Sequence, residues 1–145
     1  MKYKLEILIN KSRAEVWNLF CDYQKISLWQ PSIIKIESVS GISGQPGAVS
    51  KWIYKAKERE YFLSETILSC EESSHFESVF ENEFAENSVN NVFAEQGRDQ
   101  TLWVAETNYK FKTLLMIILG PFMKNKYVVR SKRDMERFKE MVEKE

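Results

Sequence analysis

Glu65 is the residue of this chain best placed to do chemistry. If Glu58-Arg59 forms a two-residue turn, Lys57 faces Glu60, and Trp52, Tyr54 and Ala56 share a sheet face with Tyr61, Leu63 and Glu65. If Glu72-Ser73 forms another, Ile67 faces Ser78 and Glu65 faces Phe80. A longer turn at Glu83–Asn87 sets Phe80 opposite Asn91, and a turn at Gly97–Asp99 sets Phe93 opposite Trp103. A lone carboxyl beside Trp52, Phe80 and Asn91 is desolvated, which disfavours its charged form and raises its pKa. Such a group can hydrogen-bond a ligand hydroxyl or exchange protons as an acid/base. Two structural readings stand beside this one. A register slip of one residue turns Glu65 to solvent and brings Thr66 inside, or the carboxyl bonds to Asn91 or Tyr54 within the fold.

Other chemistries find no residues to carry them. The single histidine, His75, falls at the hairpin end of a strand with outward parity, so no Ser/His/Asp or Cys/His nucleophilic set assembles. The acidic runs at Glu71-Glu72 and Glu81–Glu86 fall in turns, where solvation is the default. Cys21 and Cys70 make no disulfide framework, and with one histidine they make no familiar zinc site. The Gly41–Gly47 segment lacks both the Gly-Lys-Ser/Thr ending of a phosphate loop and the GxGxxG spacing, and reads as a hairpin connection. No metal and no cofactor are expected. The charge is balanced, 21 Lys+Arg against 21 Asp+Glu, so no basic footprint argues for nucleic acid.

The elements that must position Glu65 read clearly. With 145 residues, the chain is long enough for one domain, 1–145, with its own core. Residues 2–10 alternate as a strand, with Tyr3, Leu5, Ile7 and Ile9 on one face. Ser12 and Glu15 make a capping box for a first helix whose apolar face is Val16, Leu19 and Phe20, with Trp17 in a supporting, structural place. Asp22 is a cap for a second short helix that ends near Trp29 before Pro31. Residues 33–40 read as the next strand, and the middle strands follow. Thr113 caps a last helix over about 114–144, which Pro121 should kink. Its inward stripe is Met116, Gly120, Met123, Tyr127, Ser131, Met135, Phe138 and Met141 or Val142. The apolar run Leu114–Leu119 is expected to be the buried first half of that helix. It is too short to span a bilayer, so no stable membrane insertion is expected. No signal peptide precedes Leu5, which favours a cytoplasmic protein.

Three stretches resemble the START/Bet v 1-like (SRPBCC) superfamily, the polyketide cyclase and lipid-transport group. They are Ile9–Asp22, Trp29-Gln30-Pro31 and Gly44–Gly47, and Asp134–Lys139 is similar to the closing helix of that group. The resemblance implies an α+β helix-grip fold: a seven-stranded antiparallel sheet wrapped around a long C-terminal helix, with two short helices after the first strand. It also implies hydrophobic-ligand binding in some members and cyclase or dehydratase activity in others.

The expected partner is therefore a small hydrophobic ligand, held without catalysis in a cavity between sheet and helix. The alternatives are a cyclase/dehydratase-type enzyme using Glu65, and a lipid-transfer or protein-interaction module. Exposure of Leu114–Met123 would favour the last of these. The sheet residues expected to meet ligand are Trp52, Tyr54, Leu63, Glu65, Ser78 and Phe80. Asn91, Phe93 and Trp103 extend that set toward the last strands. Trp29 is expected to join them from the second short helix, and Met116, Met123 and Tyr127 from residues 116–127 of the last helix. The Phe138 end is expected to be closed to bulk water.

Overall fold

The computed structural model describes residues 1–145. Seven antiparallel strands, β1 (Lys2–Ile9), β2 (Ile33–Ser40), β3 (Val49–Ala56), β4 (Arg59–Glu71), β5 (His75–Glu81), β6 (Ala85–Gly97) and β7 (Gln100–Phe111), form one sheet in the order β1-β7-β6-β5-β4-β3-β2. The chain thus runs as a meander from β2 to β7, and the first strand closes on the last. Two short helices, α1 (Arg13–Phe20) and α2 (Ile26–Trp29), follow β1. Bulges in β2, β4 and β6 bend the sheet, so that it curls around the C-terminal helical segment.

Local chemistry starts the helices where the sequence places them. The Ser12 side chain accepts from the Glu15 amide at 3.3 Å, and the Glu15 carboxylate accepts from the Ser12 amide at 3.2 Å. Ser12→Ala should lower stability by about 1 kcal/mol, read as a shift in the denaturant midpoint at unchanged slope. Asp22 does not cap α2. Its carboxylate accepts from the Gln24 amide at 3.1 Å, within the turn before α2, and Lys25 occupies the cap position without a side-chain bond.

All four hairpin turns differ from the expected ones. The Glu72-Ser73 turn is one residue longer, Glu72–Ser74, and the Gly97–Asp99 turn one shorter, Arg98-Asp99, and a bulge beside each restores the expected register. The other two turns displace the pairing. Ala56 pairs with Arg59, so the two-residue turn is Lys57-Glu58 rather than Glu58-Arg59, and Lys57 takes a left-handed backbone (φ 57°). Phe80 pairs with Asn87 rather than Asn91, because the chain turns at Asn82–Phe84 and the Asn82 side chain ties down the Phe84 and Ala85 amides. Both displacements are even-numbered in register, so every side chain keeps its face. The pairs Glu65–Phe80, Ile67–Ser78 and Phe93–Trp103 form as expected. The Gly41–Gly47 segment is the β2–β3 connection. A Cβ at Gly41, where φ is +76°, would press on the Ala48 backbone.

The C-terminal segment is not one helix. Thr113 Oγ1 accepts from the Met116 amide at 3.2 Å and starts α3 (Leu114–Leu119). A 3-10 turn at Gly120–Met123 contains Pro121, and α4 (Lys124–Glu143) follows. Pro121 lacks the amide that would continue the α ladder, which accounts for the break. The expectation that Leu114–Leu119 is buried is wrong, since α3 has no buried residue. Its apolar side chains point all round, so periodicity could not tell which face would be covered. Gly120 is buried for a local reason: a methyl there would collide with the Phe111 ring.

The core lies at the other end of α4. Phe138 is fully buried, and its ring packs edge-on to Trp29 and Trp103, with centroids 5.0 Å away in each case. Trp17 is buried and meets Phe93 edge-on at 5.7 Å, a structural position as expected. Met135 and Val142 complete the buried stripe of α4. No helix is long and apolar enough to cross a membrane.

Candidate functional site

Between the concave sheet face and α4 lies a partly open cavity of about 590 Å³. Alternation within each strand puts Trp52, Tyr54, Leu63 and Glu65 on its wall from β3 and β4, and Ser78, Phe80, Asn91 and Trp103 from β5 to β7. Trp29 closes it from α2, while Met116 and Tyr127 reach it from the C-terminal segment. Two expected residues are elsewhere. Phe93 is buried in the core, stacked on Trp103 at 5.8 Å. Met123 stands behind Tyr127, whose hydroxyl lies 3.8 Å from its sulfur.

Glu65 sits inside this wall and is buried. Trp52 Nε1 donates to Ser50 Oγ at 3.0 Å, and Ser50 Oγ donates to Glu65 Oε1 at 3.3 Å. Burial pushes the Glu65 carboxyl up to about 7, although hydrogen bonding from Ser78, Ser50, Trp52 and Tyr23 pulls it partly back. The reason is ordinary: a carboxylate is poorly solvated among aromatic rings, and neutral donors only partly replace water. Burial, and then the Glu65 charge, raises the Tyr23 phenol, so Tyr23 remains a protonated donor. The arrangement therefore offers a carboxyl that can give or take a proton near neutrality, with a phenol beside it.

Asn91 belongs to a different network from the one expected. Its Oδ1 accepts from Trp103 Nε1 at 3.0 Å and its amide donates to the Phe76 carbonyl at 3.4 Å. The shifted β5–β6 pairing is the cause, because it sets Asn91 opposite Phe76. Two polar atoms on wall residues are buried and have no partner, Trp29 Nε1 and Asn87 Oδ1.

At the far end of the cavity sequence reasoning found Tyr54, Tyr127 and Ser131 but missed Tyr109, Arg130 and Asp134. There Tyr54 stacks on Tyr61 at 5.0 Å and Tyr109 on Tyr127 at 4.9 Å, while the hydroxyls of Tyr3 and Ser131 lie 2.9 Å apart. Arg130 and Asp134, neither of them on the apolar stripe of α4, also line the cavity. Burial pushes the Asp134 carboxyl up to about 6, against the pull of Arg137 and Arg130. Tyr3, Tyr54, Tyr61 and Tyr127 were visible on inward faces, but nothing in a hydrophobic stripe announces a charged residue beside it. His75 lies outside this site and contacts Ser69 at 3.4 Å. Cys21 and Cys70 are free thiols, and burial raises the Cys21 pKa to about 12.

No protein-family model matches the sequence, and no curated protein matches it significantly. Solved structures do match in shape. A START superfamily protein from Mycobacterium smegmatis superposes with a TM-score of 0.81 at 13% identity, covering 99% of this chain and 97% of that one. Ara h 8.0201 superposes with 0.76 at 16% identity, covering 100% and 99%. The Zhui aromatase/cyclase of Streptomyces sp. R1128 superposes with 0.79 at 10% identity, covering 99% and 93%. The sheet order, the two short helices after β1 and these superpositions give the chain the helix-grip fold of the START/Bet v 1-like superfamily.

Proposed function

We propose that this protein binds a small hydrophobic ligand in the cavity between its sheet and α4, and carries it without changing it. The observation that carries this reading is the wall itself. It is a cleft of about 590 Å³, mostly apolar and aromatic, with polar residues such as Tyr23, Glu65 and Ser78 on its wall. Ligand pockets have this size and composition. The likeness to an aromatase/cyclase is consistent with an aromatic or polyketide-like ligand. The test is a titration with a neutral apolar fluorophore such as Nile red, together with native mass spectrometry of protein from its own host. Saturable one-to-one binding with a co-purifying small molecule is the expected result. A fluorophore that stays dark would overturn the reading.

A second reading is favoured by α3. Leu114 is 75% exposed and Phe122 85%, with Leu115, Ile117, Ile118 and Leu119 also exposed between them. An apolar patch of this extent marks an interaction surface. The occupant that fits is an anionic bilayer surface. From Thr107 to Arg133 the chain has no carboxylate, and Lys110, Lys124, Lys126, Lys132 and Arg133 take part in no ion pair. Such basic flanks around an apolar segment favour anionic lipid. Met116 of the same helix lines the cavity, so docking there would bring the ligand site to the bilayer. Co-sedimentation with phosphatidylserine-containing vesicles, lost in Phe122→Asp and weak with neutral vesicles, is the expected outcome. Failure to sediment, or a dimer that covers α3, refutes this second reading.

A further inference from the structure

Arg130 stands on α4 one turn after Tyr127, with its guanidinium 5.3 Å from the centre of the Tyr127 ring. It lines the cavity yet takes part in none of the protein's ion pairs. The nearest carboxylate along α4, that of Asp134, gives its 2.9 Å contact to Arg137 instead. Burial works against the Arg130 charge and the Asp134 carboxylate one turn on favours it, so the side chain stays a cation. A guanidinium has five N–H donors in a planar fork that matches a carboxylate.

The surroundings add neutral donors. Tyr54, Tyr61, Tyr109 and Tyr127 are stacked in pairs at this end, and burial pushes the Tyr54, Tyr109 and Tyr127 phenols upward, so each keeps its proton. Along β4, Tyr61 lies four residues from Glu65, which is about 13 Å at the usual rise of a strand. The stretch between them is apolar, with Leu63 on the wall. The cavity therefore has a phenol-lined end, where Arg130 lies one turn from Asp134 and the Asp134 carboxylate pairs with Arg137, and a Glu65 end, separated by a hydrophobic middle.

We propose that the end built around Arg130 is an anion pole, which takes the carboxylate of an otherwise apolar carboxylic acid. This inference rests on the reading of the cavity as a ligand site and names the class of ligand. The acid lies with its carboxylate against the Arg130 fork and the surrounding phenols, and its apolar body points toward Trp52 and Phe80. Charge-assisted pairing of this kind is the strong form of hydrogen bond, and its geometry discriminates acid from alcohol.

The experiment displaces Nile red at pH 8 with two ligands of one chain length, decanoic acid and decanol. In the wild-type protein the acid should displace the dye at a concentration about tenfold or more below that of the alcohol, equivalent to about 1.4 kcal/mol. Arg130→Gln should bring the acid to the level of the alcohol and leave the alcohol unchanged, while Arg130→Lys should keep part of the preference. Equal displacement by acid and alcohol in the wild type overturns the anion pole but leaves the ligand site standing. So does an Arg130→Gln variant that weakens both ligands alike. If the dye never binds, the reading of the cavity and this inference fall together. The wild-type comparison of acid with alcohol requires no variant to fold.

Discussion

Replacing Phe138 with Ala should lower the stability of this protein by about 4 kcal/mol, the upper range for truncating a buried aromatic ring. Phe138 is fully buried and touches rings from three separate elements: Phe20 of α1, Trp29 of α2 and Trp103 of β7. Those rings are also held by one another, as Trp29 and Trp103 meet edge-on at 5.9 Å, so the site cannot collapse to fill the gap. Part of the void would open toward the cavity, whose wall includes Trp29 and Trp103. Chemical denaturation of Phe138→Ala measures the loss. A drop below about 1 kcal/mol would mean that the cluster repacks easily and is not the anchor of α4.

Stability should also fall as pH rises, and Glu65 should be the main cause. In the unfolded chain this carboxyl titrates near its model value of 4.5, and in the folded protein at about 7. Between these limits the native state holds a proton that the unfolded chain has lost. The contribution is fully present below the unfolded value and is lost as pH rises through the folded one. From pH 5 to pH 8 the loss from this group should be roughly 2–3 kcal/mol. Glu65 is only 2% exposed, so solvent screening does little to reduce it. Glu65→Gln should flatten most of this slope and make the protein more stable than wild type at pH 8. Asp134, raised to about 6 and only partly buried, leaves a smaller slope of the same sign. The same variant should weaken ligands with a hydroxyl or carbonyl more than hydrocarbons. Denaturation curves at the two pH values decide the matter, and an unchanged slope in Glu65→Gln would show that the carboxyl is ionised in the fold at no cost.

What the sequence determined by itself was periodicity and parity. The alternation of β3 to β7 was enough to put Glu65, Ser78 and Asn91 on the inner face, even though none of the four hairpin turns has the expected residues. Two turns displace the register by an even number of residues, to which a period of two is blind, and bulges in β4 and β6 cancel the one-residue changes at the other two. The Ser12–Glu15 capping box and the cap at Thr113 were equally legible, because a cap is an interaction within one turn.

Only the tertiary structure decided who touches whom. Asn91 was expected beside Glu65 but bonds to Trp103 instead, since cross-strand partners depend on the absolute register that turn lengths set. Leu114–Leu119 was expected to be buried but stands exposed. An apolar helix carries no record of whether the fold offers it a surface, and Pro121 breaks it from the packed helix that follows. Arg130 escaped notice for the opposite reason. A charged residue beside an apolar stripe reads as solvated until the curl of the sheet brings tyrosines from β1, β3, β4 and β7 around it, and that convergence spans almost the whole chain.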